Sequence, residues 1–383
     1  MKAMNNVIAL DPPVAAPDAP ISAAPAVART KASAAERLLY IEPIRVYAMS
    51  LVVFIHVAAI LAPHYNTISL TDWWTSNFYH ALSKGGPPIF TIVSGALLLG
   101  ISKDQPLGVF FKKRFLKVLI PFLGWAAVYL AWRVVFRGEQ LAPEDMIRLL
   151  LGGVVYDHLW FIKMILGLYL ATPVLRVYVQ SATRANLRYF LIVWFVAWTL
   201  LPTISRLLNM QINLDLVVMT NYVGYFIGGY YLRDVFLKPK QILPTLLIVV
   251  GALLFTQYST YALTMAKDGQ LDDFFLNNQG FNMVIVSAGM FLFLKSLPWA
   301  DIYARFPRFQ KVVLYLASCS LGVYFVHMLI MELLGSGKLG FVIDSYTLGT
   351  LIGIPLTAVL TFVLSVGVVT VIKRIPGLKL FVP

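Results

Sequence analysis

The side chains best able to do chemistry are few, and they sit where lipid is expected. Arg45 and His56 lie eleven positions apart within one apolar run. That spacing is about three helical turns, so a helix puts both on nearly the same face, about 16 Å apart along its axis. An ionisable group at mid-bilayer costs roughly 2.5–3.5 kcal/mol or more, so each one is a candidate for function. His56 can serve as a base or nucleophile. Arg45, near the end of its run, can bind an anion or snorkel to headgroups beside Glu42. His158 opens a later run in His158-Leu159-Trp160-Phe161, followed by Lys163. His327 lies within another, in Tyr324-Phe325-Val326-His327, with Glu332 about one and a half turns beyond. Ser94-Gly95 sits midway along a short run, whereas His64 and His80 read as solvated loop residues. Two zones follow from depth. Arg45 and the stretch Lys112-Lys113-Arg114-Phe115-Leu116-Lys117 form a cationic mouth at one end. His56, Ser94, His158, Lys163, His327 and Glu332 form a polar cluster towards the other. The histidines lack ligand spacing on a shared helix, so no metal site is expected.

The elements that must carry these residues are helices in a bilayer. Of 383 residues, 59% are hydrophobic and 13% charged, with a mean hydropathy of +0.76. A soluble domain has about 45–50% and about 25%. This excludes an ordinary cytosolic enzyme, a disordered scaffold and a nucleic-acid-binding domain. The chain reads as an all-α polytopic membrane protein with about ten spans, each needing roughly 17–25 residues. They are placed at 40–62, 86–102, 116–136, 158–178, 188–206, 215–232, 242–262, 280–297, 312–334 and 347–372. The second opens with Gly85-Gly86-Pro87-Pro88, which suits a helix start or a broken helix lining a cavity. Residues 139–151 suggest an amphipathic surface helix. Residues 1–35, rich in Ala and Pro, read as a disordered cytoplasmic tail without signal-peptide character, ahead of a membrane domain at 36–383. The lone cysteine, Cys319, reads as a small buried apolar residue. On alternating loops, 22 Lys and Arg fall on one side and 6 on the other. That asymmetry places both termini in the cytoplasm and accounts for most of the +13 charge without a nucleic acid.

Five segments, in order between about residues 38 and 373, resemble membrane-bound acyltransferase family three, the bacterial integral-membrane O-acyltransferases of surface glycans. Arg45 and His56 match its Arg-x10-His pattern. Pro88-Ile89-Phe90-Thr91-Ile92-Val93-Ser94-Gly95 is similar to its Pro-x-Phe…Ser-Gly segment, with Ala96 in place of an aromatic. Arg114-Phe115-Leu116-Lys117 resembles its Arg-x-x-Arg element, ending in Lys rather than Arg. His158-Leu159-Trp160-Phe161 with Leu166-Gly167-Leu168-Tyr169 and Pro173, and later Tyr324 to His327, complete the set. The resemblance implies transfer of an acyl group, usually acetyl, from cytoplasmic acyl-CoA to a sugar hydroxyl at the bacterial inner membrane. Arg45, Arg114 and Lys117 would then hold CoA phosphates, and His56 would deprotonate the acceptor or carry the acyl group. His327 and Glu332 would orient the acceptor or relay a proton. Ser94, His158, Trp160, Lys163 and Tyr324 would line the acceptor site. Expected partners are membrane lipid, a glycan or lipid-linked sugar, and polysaccharide-synthesis proteins.

Three other readings compete. A glycan flippase also needs polar groups within its spans, but no cationic mouth matched to CoA. A polytopic glycan ligase usually needs a large external loop, and the longest here are about 20 residues. A different acyltransferase class pairs a histidine with an asparagine, for which Asn282 and His327 are the available residues.

Overall fold

Inside hydrocarbon a backbone must satisfy its own N–H and C=O groups, and a helix does so within one segment. The computed structural model describes residues 39–101, 105–209 and 222–383, and among them are fourteen α-helices and no strand. The expected tail at 1–35 lies outside the described residues. In chain order come α1 (Ile41–Ala59), α2 (Leu70–Ser83), α3 (Gly86–Leu98), α4 (Leu107–Val135) and α5 (Pro143–Leu151). α6 (Trp160–Ser181) and α7 (Arg184–Phe195) follow, and a π-helical turn at Val196–Leu200 leads into α8 (Leu201–Leu207). The series ends with α9 (Val223–Leu232), α10 (Pro239–Met265), α11 (Phe281–Lys295), α12 (Trp299–Arg305), α13 (Pro307–Gly335) and α14 (Thr350–Arg374).

Seven stretches are long and apolar enough to cross a membrane: Ile41–His64, Leu107–Val135, Asp157–Ser181, Arg184–Leu207, Pro239–Met265, Pro307–Gly335 and Thr350–Arg374. The protein is therefore a multi-pass helical membrane protein, with seven such spans among the described residues where the sequence suggested ten. The remaining three expectations correspond to α3, α9 and α11, of 13, 10 and 15 residues. α11 qualifies only with its leading turn and with α12, across a 54° bend. Part of the expected span at 215–232 lies outside the described residues. α5 matches the short surface helix expected at 139–151, and none of its side chains is buried.

The short helices have a physical cause. Between α2 and α3 stands Lys84-Gly85-Gly86-Pro87-Pro88, where proline lacks the N–H that would continue a helix but fits the first turn of a new one. Gly86 lies against the middle of α1, where a Cβ would come 3.1 Å from the Ala48 carbonyl oxygen and 3.2 Å from Leu51 and Val52. The break is thus held at mid-height of α1. α3 then crosses α9 backbone to backbone. A Cβ on Gly95 would fall 1.8 Å from the Phe226 carbonyl oxygen, and one on Gly229 would fall 1.9 Å from that of Ile92. Such small-residue crossings replace the hydrophobic drive that helices lack in lipid. α1 is the hub, packed by α2, α3, α13 and α14, and its Ile44, Ala48, Met49, Val53 and Val57 are fully buried.

Candidate active site

The centre of the site is a triangle of imidazoles drawn from three separate elements. His56 comes from α1, His158 from the 3-10 turn Asp157–Leu159 that leads into α6, and His327 from α13. Ring centroids are 5.2 Å apart for His56 and His327, 5.1 Å for His158 and His327, and 6.2 Å for His56 and His158. His327 Nδ1 stands 2.7 Å from the Tyr324 carbonyl and 3.2 Å from that of Val323. Carbonyls only accept, so Nδ1 carries the hydrogen and Nε2 keeps a lone pair. That Nε2 is buried and has no partner among the described residues, and the same holds for both ring nitrogens of His158. Aromatic rings hold His158 in place: Tyr129 at 4.9 Å, Tyr324 at 5.3 Å and Tyr156 at 5.7 Å. The Tyr324 hydroxyl donates to the His158 carbonyl, and the Tyr129 hydroxyl donates to the Phe325 carbonyl at 2.6 Å.

His56 and His158 face a chamber of about 140 Å³, whose wall also includes His80, Lys84, Pro87, Phe161 and Tyr324. His327 stands behind them. Lys84, Trp160 and Asn278 line this chamber and also a larger vestibule of about 630 Å³, so the two cavities share a neck. The vestibule carries the aromatic rings of Trp160, Tyr222 and Phe274 beside the amides of Asn277, Asn278 and Gln279. One side is braced by Asp272, which binds Arg206 at 2.5 Å and Lys267 at 2.8 Å. Burial works against ionised Asp272. Hydrogen bonds from Lys267 and the Phe274 backbone, with the charge of Arg206, outweigh it and hold its pKa below the usual carboxylate value.

At the other end of α1, Arg45 pairs with Glu42 at 2.8 Å and keeps 30% of its side chain exposed. Arg114 on α4 lies over Phe110 and Tyr169, at 5.9 and 6.0 Å, and its Nε is buried without a partner among the described residues. Arg176 is buried nearby, over Phe110 at 5.3 Å, and donates to the Leu98 carbonyl at 3.1 Å. Because α1 is one continuous helix, about 16 Å separates Arg45 from His56 along its axis. Among the described residues no group of three His, Cys, Asp or Glu side chains is placed to hold a metal ion.

A basic end, an imidazole chamber and a polar vestibule in one helical bundle suit group transfer between two substrates. A family model described as an acyltransferase domain, that of acyltransferase family 3, matches residues 38–372. The chain belongs to that family. A search of curated proteins finds no match, and neither does a search of solved structures.

Within this family 3 acyltransferase the residues singled out from sequence fall into three groups. His56, His158, Tyr324 and Trp160 line the chamber and its neck, with His327 packed behind the two histidines. Arg45 and Arg114 occupy the basic end, while Lys117 points outward as an exposed residue one turn from Arg114. Three residues expected in the polar cluster have other surroundings. Glu332 binds Arg137 at 2.5 Å, accepts from Trp132 at 2.9 Å and meets the Tyr156 hydroxyl, so it ties α13 to the end of α4. Lys163 donates to the Gly153 carbonyl at 2.8 Å, steadying the loop ahead of His158. Ser94 lies two turns along α3 from the chamber wall at Pro87, beside the α3–α9 crossing. Asn282 donates to Thr256 and to the Phe275 carbonyl, both at 2.7 Å, which leaves it pinning α10 and gives no support to a histidine–asparagine pair.

Sequence reasoning missed His80, Lys84 and Asn278. His80 reads from sequence as a solvated loop residue, yet it is buried, and it lines the chamber together with Lys84. A signal was present: a lysine immediately before a Gly-Gly-Pro-Pro break is a charge placed where a broken helix opens a cavity. Asn278 carried none, because only the fold brings the turn before α11 to Trp160.

Proposed function

We propose that this acyltransferase moves a short acyl group, acetyl in the first instance, from acyl-CoA to a hydroxyl of a glycan or lipid-linked sugar at the bacterial inner membrane. The observation carrying this reading is the shared neck: an imidazole chamber opens to a polar vestibule, and a basic end lies about 16 Å away on the same helix. An extended pantetheine arm is long enough to bridge a separation of that order. Arg45, Arg114 and Lys117 would receive the CoA phosphates. The orphaned Nε of Arg114 suits that role, since guanidinium binds phosphate through a planar fork. Aromatic faces beside amides, as in the vestibule, suit a sugar ring whose hydroxyls need donors and acceptors.

Chamber size argues for acyl length. A cavity of about 150 Å³ takes one benzene-sized molecule, and this chamber has about 140 Å³. An acetyl or propionyl head fits with the attacking hydroxyl, whereas a long acyl chain does not. The 22-to-6 asymmetry of Lys and Arg supports placing the basic end in the cytoplasm and the vestibule outside. Acyl transfer then also carries the group across the membrane. Lipid surrounds the protein, and polysaccharide-synthesis proteins would present the acceptor.

The test is binding of acetyl-CoA to the purified protein and to Arg45→Ala, with thioester loss followed alongside. The expected result is binding weakened at least about tenfold by Arg45→Ala, consistent with loss of one charge-assisted hydrogen bond. Acetyl-CoA is expected to be consumed faster than octanoyl-CoA. Absence of binding to folded wild-type protein would turn the reading towards a flippase. Equal use of the two thioesters would remove the size argument.

A further inference from the structure

Of the three residues shared by chamber and vestibule, Lys84 alone carries a charge. Its backbone N–H is anchored to the His80 and Ala81 carbonyls at the end of α2, so the fold fixes where the side chain starts. Its ammonium makes no hydrogen bond and no ion pair among the described residues, and Asp273 acts on it only through space. Arg206, Asp272 and Lys267 pair among themselves on another side of the vestibule, which leaves Asp273 as the carboxylate of the lining that acts on Lys84. A sheltered cation with no counter-ion in contact is costly. It becomes useful where negative charge appears during the reaction, because low local polarity strengthens its effect there.

We infer that Lys84 is a catalytic residue whose ammonium stabilises the oxyanion formed on the acyl carbonyl at the neck of the chamber. The inference rests on the acyl-CoA reading above. As the acceptor O–H attacks, its proton passes to an imidazole and the new C–O bond forms. The carbonyl π electrons move onto oxygen, beside Lys84. Collapse restores the carbonyl, breaks the C–S bond and expels the CoA thiolate, which recovers the proton from the imidazolium. Lys84 stays protonated throughout and gives no proton away. The imidazoles move the proton, and the lysine holds the charge.

The experiment uses Lys84→Cys with acetyl-CoA as donor and water as acceptor, following thioester loss and acetyl-CoA binding. Removing one oxyanion donor typically slows a reaction by about 10²- to 10³-fold, and that loss is expected with binding unchanged. Treatment with 2-bromoethylamine rebuilds an ammonium on a side chain of nearly lysine length and is expected to restore most of the rate. Iodoacetamide, which adds a neutral amide, is expected to restore none. The chain's one native cysteine, Cys319, is buried, and treated wild-type protein serves as its control. An undiminished rate in Lys84→Cys, or equal rescue by both reagents, would overturn the assignment. So would a loss confined to transfer onto an added sugar, with hydrolysis intact, since the charge would then serve the acceptor. If wild-type protein consumes no thioester, the acyl-CoA reading itself fails and Lys84 falls with it.

Discussion

His56→Ala is expected to lower thioester loss from acetyl-CoA by about 10³-fold or more, within the range known for removal of a general base, while acetyl-CoA binding changes little. The reason is positional. His56 and His158 both face the chamber, and His56 lies on the same continuous helix as Arg45, which would hold the donor. Behind it, His327 has its Nδ1 hydrogen tied to backbone carbonyls and a lone pair left on Nε2. The two ring centroids are 5.2 Å apart with no hydrogen bond between the rings, and a rotation of His56 that offers its N–H to that lone pair would leave its other nitrogen free to take the acceptor's proton. His327→Ala should therefore cost less than His56→Ala, because it removes the support and leaves the base. Steady-state rates for the two variants, with binding measured separately, check the order. Full activity in His56→Ala would remove this residue from the chemistry.

Gly95→Ala is expected to have the largest effect on folding. A Cβ there would lie 1.8 Å from the Phe226 carbonyl oxygen and 2.6 Å from its carbon, and neither is the far end of a flexible side chain. The two short helices α3 and α9 must move apart, which costs more than the roughly 1–3 kcal/mol of ordinary overpacking. The displacement would carry the chamber wall at Pro87 with it. Gly108→Ala is the control, since a Cβ at Gly108 meets nothing within 4 Å. Monodisperse yield and thermal unfolding in detergent should fall sharply for Gly95→Ala and hold for Gly108→Ala. Equal behaviour would mean that the α3–α9 crossing is not a tight one.

Much of the candidate site was legible because intramembrane polar residues are expensive and therefore few. His56, His158 and His327 stood out on that ground, and depth along their runs brought them to one level. Depth does not distinguish partners, however. Glu332 and Lys163 lie close to the right level, yet each turns to a neighbour: Glu332 to Arg137, Tyr156 and Trp132, and Lys163 to the Gly153 carbonyl. His80 and Lys84 were hidden for the opposite reason. They look like loop residues until the break between α2 and α3 is seated against the middle of α1.

The sequence by itself determined that the chain lives in a membrane, that its spans are helical, and that it belongs with acyltransferases, because these follow from composition, from run length and from local motifs. Tertiary structure alone decided that three apolar runs are short helices, and that α3 and α9 meet through glycine. It also decided which polar groups share a chamber. The physical reason is that hydropathy reports only how much a residue prefers lipid to water. Which helices touch is set by close packing and by hydrogen bonds between residues as far apart in the chain as Tyr324 and His158.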